Sequence, residues 1–267
     1  MIWFTAVETK DLGLSSFKKE PFTSFIEANI QSFQGIAIAT IVLSLWMISL
    51  VLLLSADLSK YSFWLVGMAL LWQTFLYSGL FITAHDAMHG AVFPLNPKIN
   101  NAIGSFAVLV YGLFSYRELS KKHWLHHKHP STQLDPDFHD GQHANFFNWY
   151  FHFMKGYWSW SRMLGLVVLF HAIHHFLHIA DLNLALFWVI PSILSSVQLF
   201  YFGTFLTHRE PEEGYTTKHR AKSTSFSTFW SFITCYHFGY HHEHHEYPHL
   251  PWWRLPEIYH LRFESSK

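Results

Sequence analysis

From Ala28 to Ala56 the chain carries no charged side chain, and from Tyr61 to Ala84 it again carries none. A third uncharged run covers Leu182–Thr207, and a fourth apolar run, residues 163–180, is broken only by histidines. At about 1.5 Å per residue, each run is long enough as a helix to cross a hydrocarbon layer about 30 Å thick. Helices so uniformly apolar have little to pack against in a soluble domain. The runs therefore predict four membrane spans, approximately 33–56, 61–84, 162–180 and 184–207. The charged share, 13 %, is low, and the apolar share, 50 %, is matched to such a chain. The expected fold is an all-α integral membrane protein. It is a single domain over residues 1–267, with four transmembrane helices in two hairpins and cytoplasmic or interfacial helices between and after them.

The connections inside each pair of spans are very short, at Asp57–Lys60 and around Asp181. The first holds only Lys60 and the second has no Lys or Arg. Lys10, Lys18 and Lys19 precede the first span, Arg117, Lys121, Lys122 and Lys128 lie in the long middle segment, and the tail after Thr207 is basic again. The positive-inside rule puts both termini and the middle segment in the cytoplasm. The start, "MIWFTAVETK", lacks the basic-then-apolar layout of a signal peptide. Two further apolar stretches, 99–116 and 226–240, are expected to be interfacial or re-entrant, since a crossing at 99–116 would part the histidines on either side of it. The net charge of zero gives no reason to expect a nucleic-acid partner.

Histidine is the second feature, with 22 in the chain. His85 and His89 close the second span at i, i+4, which places both rings on one helix face. His123, His126 and His127 follow at i, i+3, i+4, and His241, His244 and His245 repeat that spacing. His208 closes the last span. The orientation drawn from Lys and Arg puts all of these on one side. Nine imidazoles exceed what one four-coordinate ion uses and suit two ions with room for an exogenous molecule. Imidazole accepts Zn, Cu, Fe or Ni, so ligand type does not choose the metal. The single cysteine, Cys235, excludes Cys-rich sites and disulfides within the chain. Asp86, Asp135, Asp137, Glu243 and Glu246 are candidates to orient ligating rings, and His237 is a candidate ligand or supporting group. His171, His174, His175 and His178 sit inside the third span, about 13 to 24 Å below its cytoplasmic edge, too deep to join the others. They are read as histidines hydrogen-bonded within the bundle.

The motifs "FITAHDAMHG", "KKHWLHHKHP", "DPDFH", "FHFMKGYWSW", "LFYFGTFLTHREP" and "WSFITCYHFGYHHEHHEYPHLPWWRLPEIY" resemble those of the bacterial β-carotene ketolases, within the integral-membrane fatty-acid desaturase and hydroxylase superfamily. The resemblance runs over about residues 35–260; His242 has no counterpart in its last histidine box. It implies a non-haem diiron centre held by His85, His89, His123, His126, His127, His208, His241, His244 and His245. It further implies O2 as oxidant, electrons from a reduced ferredoxin, and a carotenoid drawn from the membrane lipids. The implied reaction is oxidation of the allylic C4 methylene of a β-ionone ring. An alcohol and then a geminal diol form, and the diol loses water to the ketone, taking β-carotene to echinenone and canthaxanthin. Aromatics that would line a tunnel for such a polyene are Trp124, Phe138, Trp149, Tyr157, Trp158, Trp160, Tyr201 and Phe202. A fatty-acid desaturase or carotenoid hydroxylase would use the same histidines. A metal transporter is the reading from another class, and it would need ligands along a path through the membrane.

Overall fold

In a computed structural model, which describes residues 21–142 and 144–264, every regular element is helical and no strand occurs among the described residues. The first ten residues, and Lys10, Lys18 and Lys19, lie outside them. Helix α1 covers Pro21–Leu54 and α2 covers Phe63–Met88, with Ser62 capping α2 by accepting from Leu65 N. Asn96 caps α3 (Pro97–Gly112), whose first residue is the proline that suits that position. Ser115 caps α4 (Tyr116–Lys128), Asn145 caps α5 (Phe146–Gly156) and Ser159 caps α6 (Trp160–Leu177). Helix α7 runs continuously from Asp181 to His208. Then come α8 (Thr228–Cys235), α9 (His241–Glu246) and α10 (Leu255–Glu264).

Among the described residues, three helices are long and apolar enough to cross a membrane: Ile26–Leu54 within α1, α2, and α7; the bent pair α3 and α4 makes a fourth if the two are taken as one span. The predicted span at 162–180 is a helix, but a shorter one. It ends at Leu177, and His178 turns the chain in the left-handed region (φ 55°). Arg162 and three histidines also lower its apolarity below that of the other three. None of its residues is buried, so its histidines do not bond inside a bundle as expected. His171, His175 and His178 are exposed, while His174 Nδ1 lies 2.9 Å from both Ile179 O and Asp181 Oδ1 in the following turn.

Helix α2 is central. Trp46 of α1 meets Tyr77 edge-on, Tyr77 meets Tyr111 of α3, and Leu199 of α7 and Tyr236 after α8 complete one buried cluster. Polar ties sit inside it: Ser49 donates to Gln73 Oε1 at 2.7 Å and Ser78 to Gln198 Oε1 at 2.6 Å. Helices α3 and α4 meet at 101°. Leu113 makes that bend in the left-handed region, and Arg162 of α6 covers Phe114 beside it at 3.7 Å. Helix α7 contains two widened turns, Ala185–Val189 and Tyr201–Phe205, of π-helical hydrogen bonding. The first ends two residues before Pro191, whose ring and missing N–H disrupt a regular helix.

The two ends of the molecule differ. At one end Asn183 Nδ2 donates to Leu53 O, Leu54 O and Ala56 O, which brings the first turn of α7 against the end of α1. At the other end the last turn of α2, the length of α4, the last turn of α7 and all of α9 converge.

Candidate metal centre

The convergence is a consequence of helix spacing. His85 lies in the last turn of α2 and His89 caps its end, where the helix stops because Gly90 takes φ +72°. His123, His126 and His127 share the inner face of α4. Tyr236 and His237 both take left-handed conformations, ending α8 and turning the chain into α9, which presents His241, His244 and His245. His208 follows the second widened turn of α7.

Two groups of four result. His85, His89, His123 and His244 form one, and His126, His208, His241 and His245 form the other, with ligand nitrogens in each group within 4.8 Å of one another. His127 bridges them: its Nε2 is 2.9 Å from His244 Nε2, and its ring stacks on His245 with centroids 4.2 Å apart. All nine histidines of the three boxes and α7 are therefore brought together. His237 is not among them. It is buried at the turn, stacked against Tyr240, with Nδ1 unpartnered.

Imidazole nitrogens face one another at separations that suit a shared cation. His89 Nε2 lies 2.7 Å from His123 Nε2, His126 Nε2 3.1 Å from His245 Nε2, and His245 Nε2 3.1 Å from His241 Nε2. With bonds of about 2.1 Å, two ligands of one ion sit roughly 3 Å apart. His85 Nε2 and His208 Nε2 are buried with no partner, one in each group. Burying a polar atom unpaired is costly, and a bound cation removes that cost. The donor set is all imidazole, so the residues fit a pair of first-row transition ions.

Carboxylates back the rings unevenly. His126 Nδ1 lies 3.0 Å from each oxygen of Asp135, which also accepts from Ser131 N and Asp137 N. Asp86 Oδ1 is 3.4 Å from His85 Nδ1, while its other oxygen accepts from Trp252 N at 2.9 Å. His208 Nδ1 is held by Arg220 O at 3.0 Å. Glu243 and Glu246 face away from the rings. Glu243 accepts from Ser223 Oγ and from Arg262 at 2.9 Å, and Glu246 pairs with His219 at 2.8 Å. Burial and the neighbouring imidazoles hold His244 and His245 well below the usual histidine range, so both are neutral and able to ligate. Burial, reinforced by Asp135, pushes Asp137 up to about 6, against the opposing effects of His126 and Tyr157.

An apolar cavity of about 100 Å³ meets both groups. His85 and His123 line it from the first, and His126 and His241 from the second. Its walls include Phe81, Met88, Tyr111, Phe114, Leu199 and Phe200. Of the aromatics expected at a tunnel, Tyr157 lines it, donating from its hydroxyl to Asp137 Oδ1 at 2.5 Å. The rest lie elsewhere. Trp149 is buried behind the wall with Phe138, its Nε1 donating to Asp137 O. Trp158, Trp160 and Tyr201 are exposed, Phe202 packs against the main core, and Trp124 stands on the outer side of the centre. The sequence carries no period that marks the true lining, because it is drawn from α2, α3, α4, α5, α7, α9 and the turn at Phe238.

The sequence profile described as "Fatty acid desaturase" matches residues 61–167 and 156–266. The chain belongs to the fatty acid desaturase family. It is thus an enzyme of that family and an integral membrane protein. Among curated relatives, a "Beta-carotene ketolase" of Paracoccus sp. (strain PC1) is 45 % identical over 185 residues, 68 % of this chain and 74 % of that protein. A "Zeaxanthin 4-ketolase" of Chlamydomonas reinhardtii is 39 % identical over 248 residues, 84 % of this chain and 52 % of that longer protein. A "Beta-carotene 4-ketolase 3" of Haematococcus lacustris is 41 % identical over 191 residues, 68 % and 58 % respectively. No solved structure matches the chain.

Proposed function

We propose that this single-domain membrane enzyme is an O2-dependent carotenoid ketolase that introduces a keto group at C4 of β-ionone rings. The observation that carries the reading is the cavity: an apolar pocket that ends on histidines of both four-member groups. The similarity to named ketolases supplies the substrate class.

His85, His89, His123 and His244 would hold one iron, and His126, His208, His241 and His245 the other, with His127 between them. The iron pair, when bound, supplies the O2 activation that breaks an allylic C–H bond. The remaining work falls to the chain. Phe81, Phe114, Leu199 and Phe200 exclude water and grip an apolar ring. Phe238 packs edge-on to His85 at 4.9 Å and fixes the floor on which the ring rests. Tyr157 donates to Asp137 Oδ1 and holds that carboxyl group beside His126, whose Nδ1 lies 3.9 Å from Asp137 Oδ2. A polyene dissolves in the bilayer, so an opening among membrane helices lets the ring approach while the chain stays in hydrocarbon. The basic residues around this end, against the lone Lys60 in the first hairpin turn, favour a cytoplasmic active site and cytoplasmic termini, with reduced ferredoxin as donor.

Expression in cells that accumulate β-carotene, with pigments identified by mass, tests the reading. Echinenone and canthaxanthin are expected, and neither with His126→Ala. Unchanged pigment from an iron-loaded wild type would move the assignment to a desaturase or hydroxylase on the same scaffold.

A further inference from the structure

Trp124 lies against the metal centre from outside, away from the cavity. Its ring centroid is 4.9 Å from that of His89 and 5.8 Å from that of His127, and its Nε1 donates to Met88 O at 3.2 Å. Yet the side chain is 48 % exposed. One indole thus spans from the protein surface to a histidine of the first group and to the histidine that bridges both groups.

The surface around it is patterned. Arg117, Lys121, Trp124 and Lys128 stand at i, i+4, i+7 and i+11 of α4, which is one stripe of a helix, and all four are exposed. Glu118 is the single carboxylate on α4, and it pairs with Lys121 at 2.8 Å. The opposite face of the same helix supplies His123, His126 and His127. The stripe is therefore a cationic surface with an aromatic at its middle, one side chain away from the rings.

An oxygenase of this kind draws electrons from outside, and the one cysteine here is buried and cannot build an iron–sulfur site. We propose that the Arg117–Lys128 face of α4 docks an acidic one-electron carrier protein, and that Trp124 is the bridge through which its electrons tunnel to the metal centre. The proposal rests on the oxygenase reading above. For each O2 consumed in a hydroxylation, two carriers are each oxidised by one electron. Two protons are taken up, one oxygen atom enters the substrate and one leaves as water. The indole is neither oxidised nor reduced. Opposite charges steer the encounter, and the attraction weakens as salt rises.

The test uses the full chain, loaded with ferric iron, in phosphatidylcholine nanodiscs, with an acidic [2Fe–2S] ferredoxin as probe. Labelled ferredoxin reports binding by anisotropy, and reduced ferredoxin under argon reports its oxidation by the ferric protein in stopped flow. Combined Arg117→Glu, Lys121→Glu and Lys128→Glu is expected to weaken binding about tenfold or more, as is high salt. Trp124→Leu is expected to slow ferredoxin oxidation even at saturating ferredoxin, where any change in binding no longer limits the rate, with Trp124→Phe intermediate. Binding indifferent to both charge reversal and salt would overturn the docking face. Wild-type oxidation rates in Trp124→Leu would overturn the bridge. If charge reversal alters only reconstitution into phosphatidylglycerol discs, the stripe faces lipid headgroups and the proposal fails. Should Trp124→Leu lose iron, Trp124→Phe and the charge variants still decide. The assay needs no carotenoid, so charge-dependent binding without keto product would reject the ketolase reading alone.

Discussion

Asp135 grips His126: both oxygens of the buried carboxylate lie 3.0 Å from the same ring nitrogen, Nδ1. Two backbone N–H groups, from Ser131 and Asp137, fix the carboxylate in turn. The ring must therefore donate at Nδ1 and offer its Nε2 lone pair to the centre. Asp135→Asn keeps the shape and removes the charge. We predict iron affinity lowered about 10- to 100-fold, measured by competition with a chelator in detergent. Affinity equal to wild type would mean that His126 does not ligate.

The cavity makes a separate prediction. Leu199 is buried in its wall on α7, well removed in sequence from every histidine box. Leu199→Trp fills the space with an indole, at a packing cost of about 1–3 kcal/mol. Keto product should fall to near background in β-carotene-accumulating cells, with iron content at the wild-type level. Product unaffected by the larger side chain would place the ring elsewhere.

Gly203 and Phe238 make the closest packing at the site. A Cβ on Gly203 would land on the ring of Phe238, which itself lies against His85 and His241. Gly203→Ala is predicted to destabilise the protein by about 1–3 kcal/mol. Thermal unfolding of the detergent-solubilised protein checks this. Gly203→Ala with Phe238→Leu should recover part of the loss, because the smaller side chain can retreat.

The pattern of these residues explains what was legible before any coordinates. The boxes at i, i+4 and i, i+3, i+4 are helix-face geometry, so His85/His89, His123/His126/His127 and His241/His244/His245 could be grouped from spacing. His237 shares the i, i+4 relation with His241 but not the helix, because α9 starts at His241 after two left-handed residues. Glu243 and Glu246 are on α9 yet point off the histidine face, toward Ser223, Arg262 and His219. The cavity wall was illegible for a different reason. In a chain with 27 Phe, 12 Trp and 12 Tyr, aromatic identity does not separate a lining ring from a packed or lipid-facing one. The segment 99–116 was readable only through its neighbours. His89 before it and His123 after it meet at 2.7 Å, so it leaves and returns to the same end.

Far from the metal-centre histidines, Asn183 carries the last prediction. Its amide donates to three carbonyls at the end of α1, Leu53 O at 2.9 Å, Leu54 O at 3.3 Å and Ala56 O at 2.9 Å. Helix ends leave such carbonyls without partners, and the residue is buried, so water does not replace the amide at low cost. Asn183→Leu should destabilise the protein by about 1–3 kcal/mol. Asn183→Asp is the sharper variant: it has almost the same shape but no N–H to donate, and its carboxylate would face three carbonyl oxygens. It should lower the thermal midpoint at least as far as the leucine does. Both variants should keep wild-type iron content, because α7 separates position 183 from His208 by about 37 Å of helix. An Asn183→Asp protein as stable as wild type would show that the amide donors do not hold the two turns together.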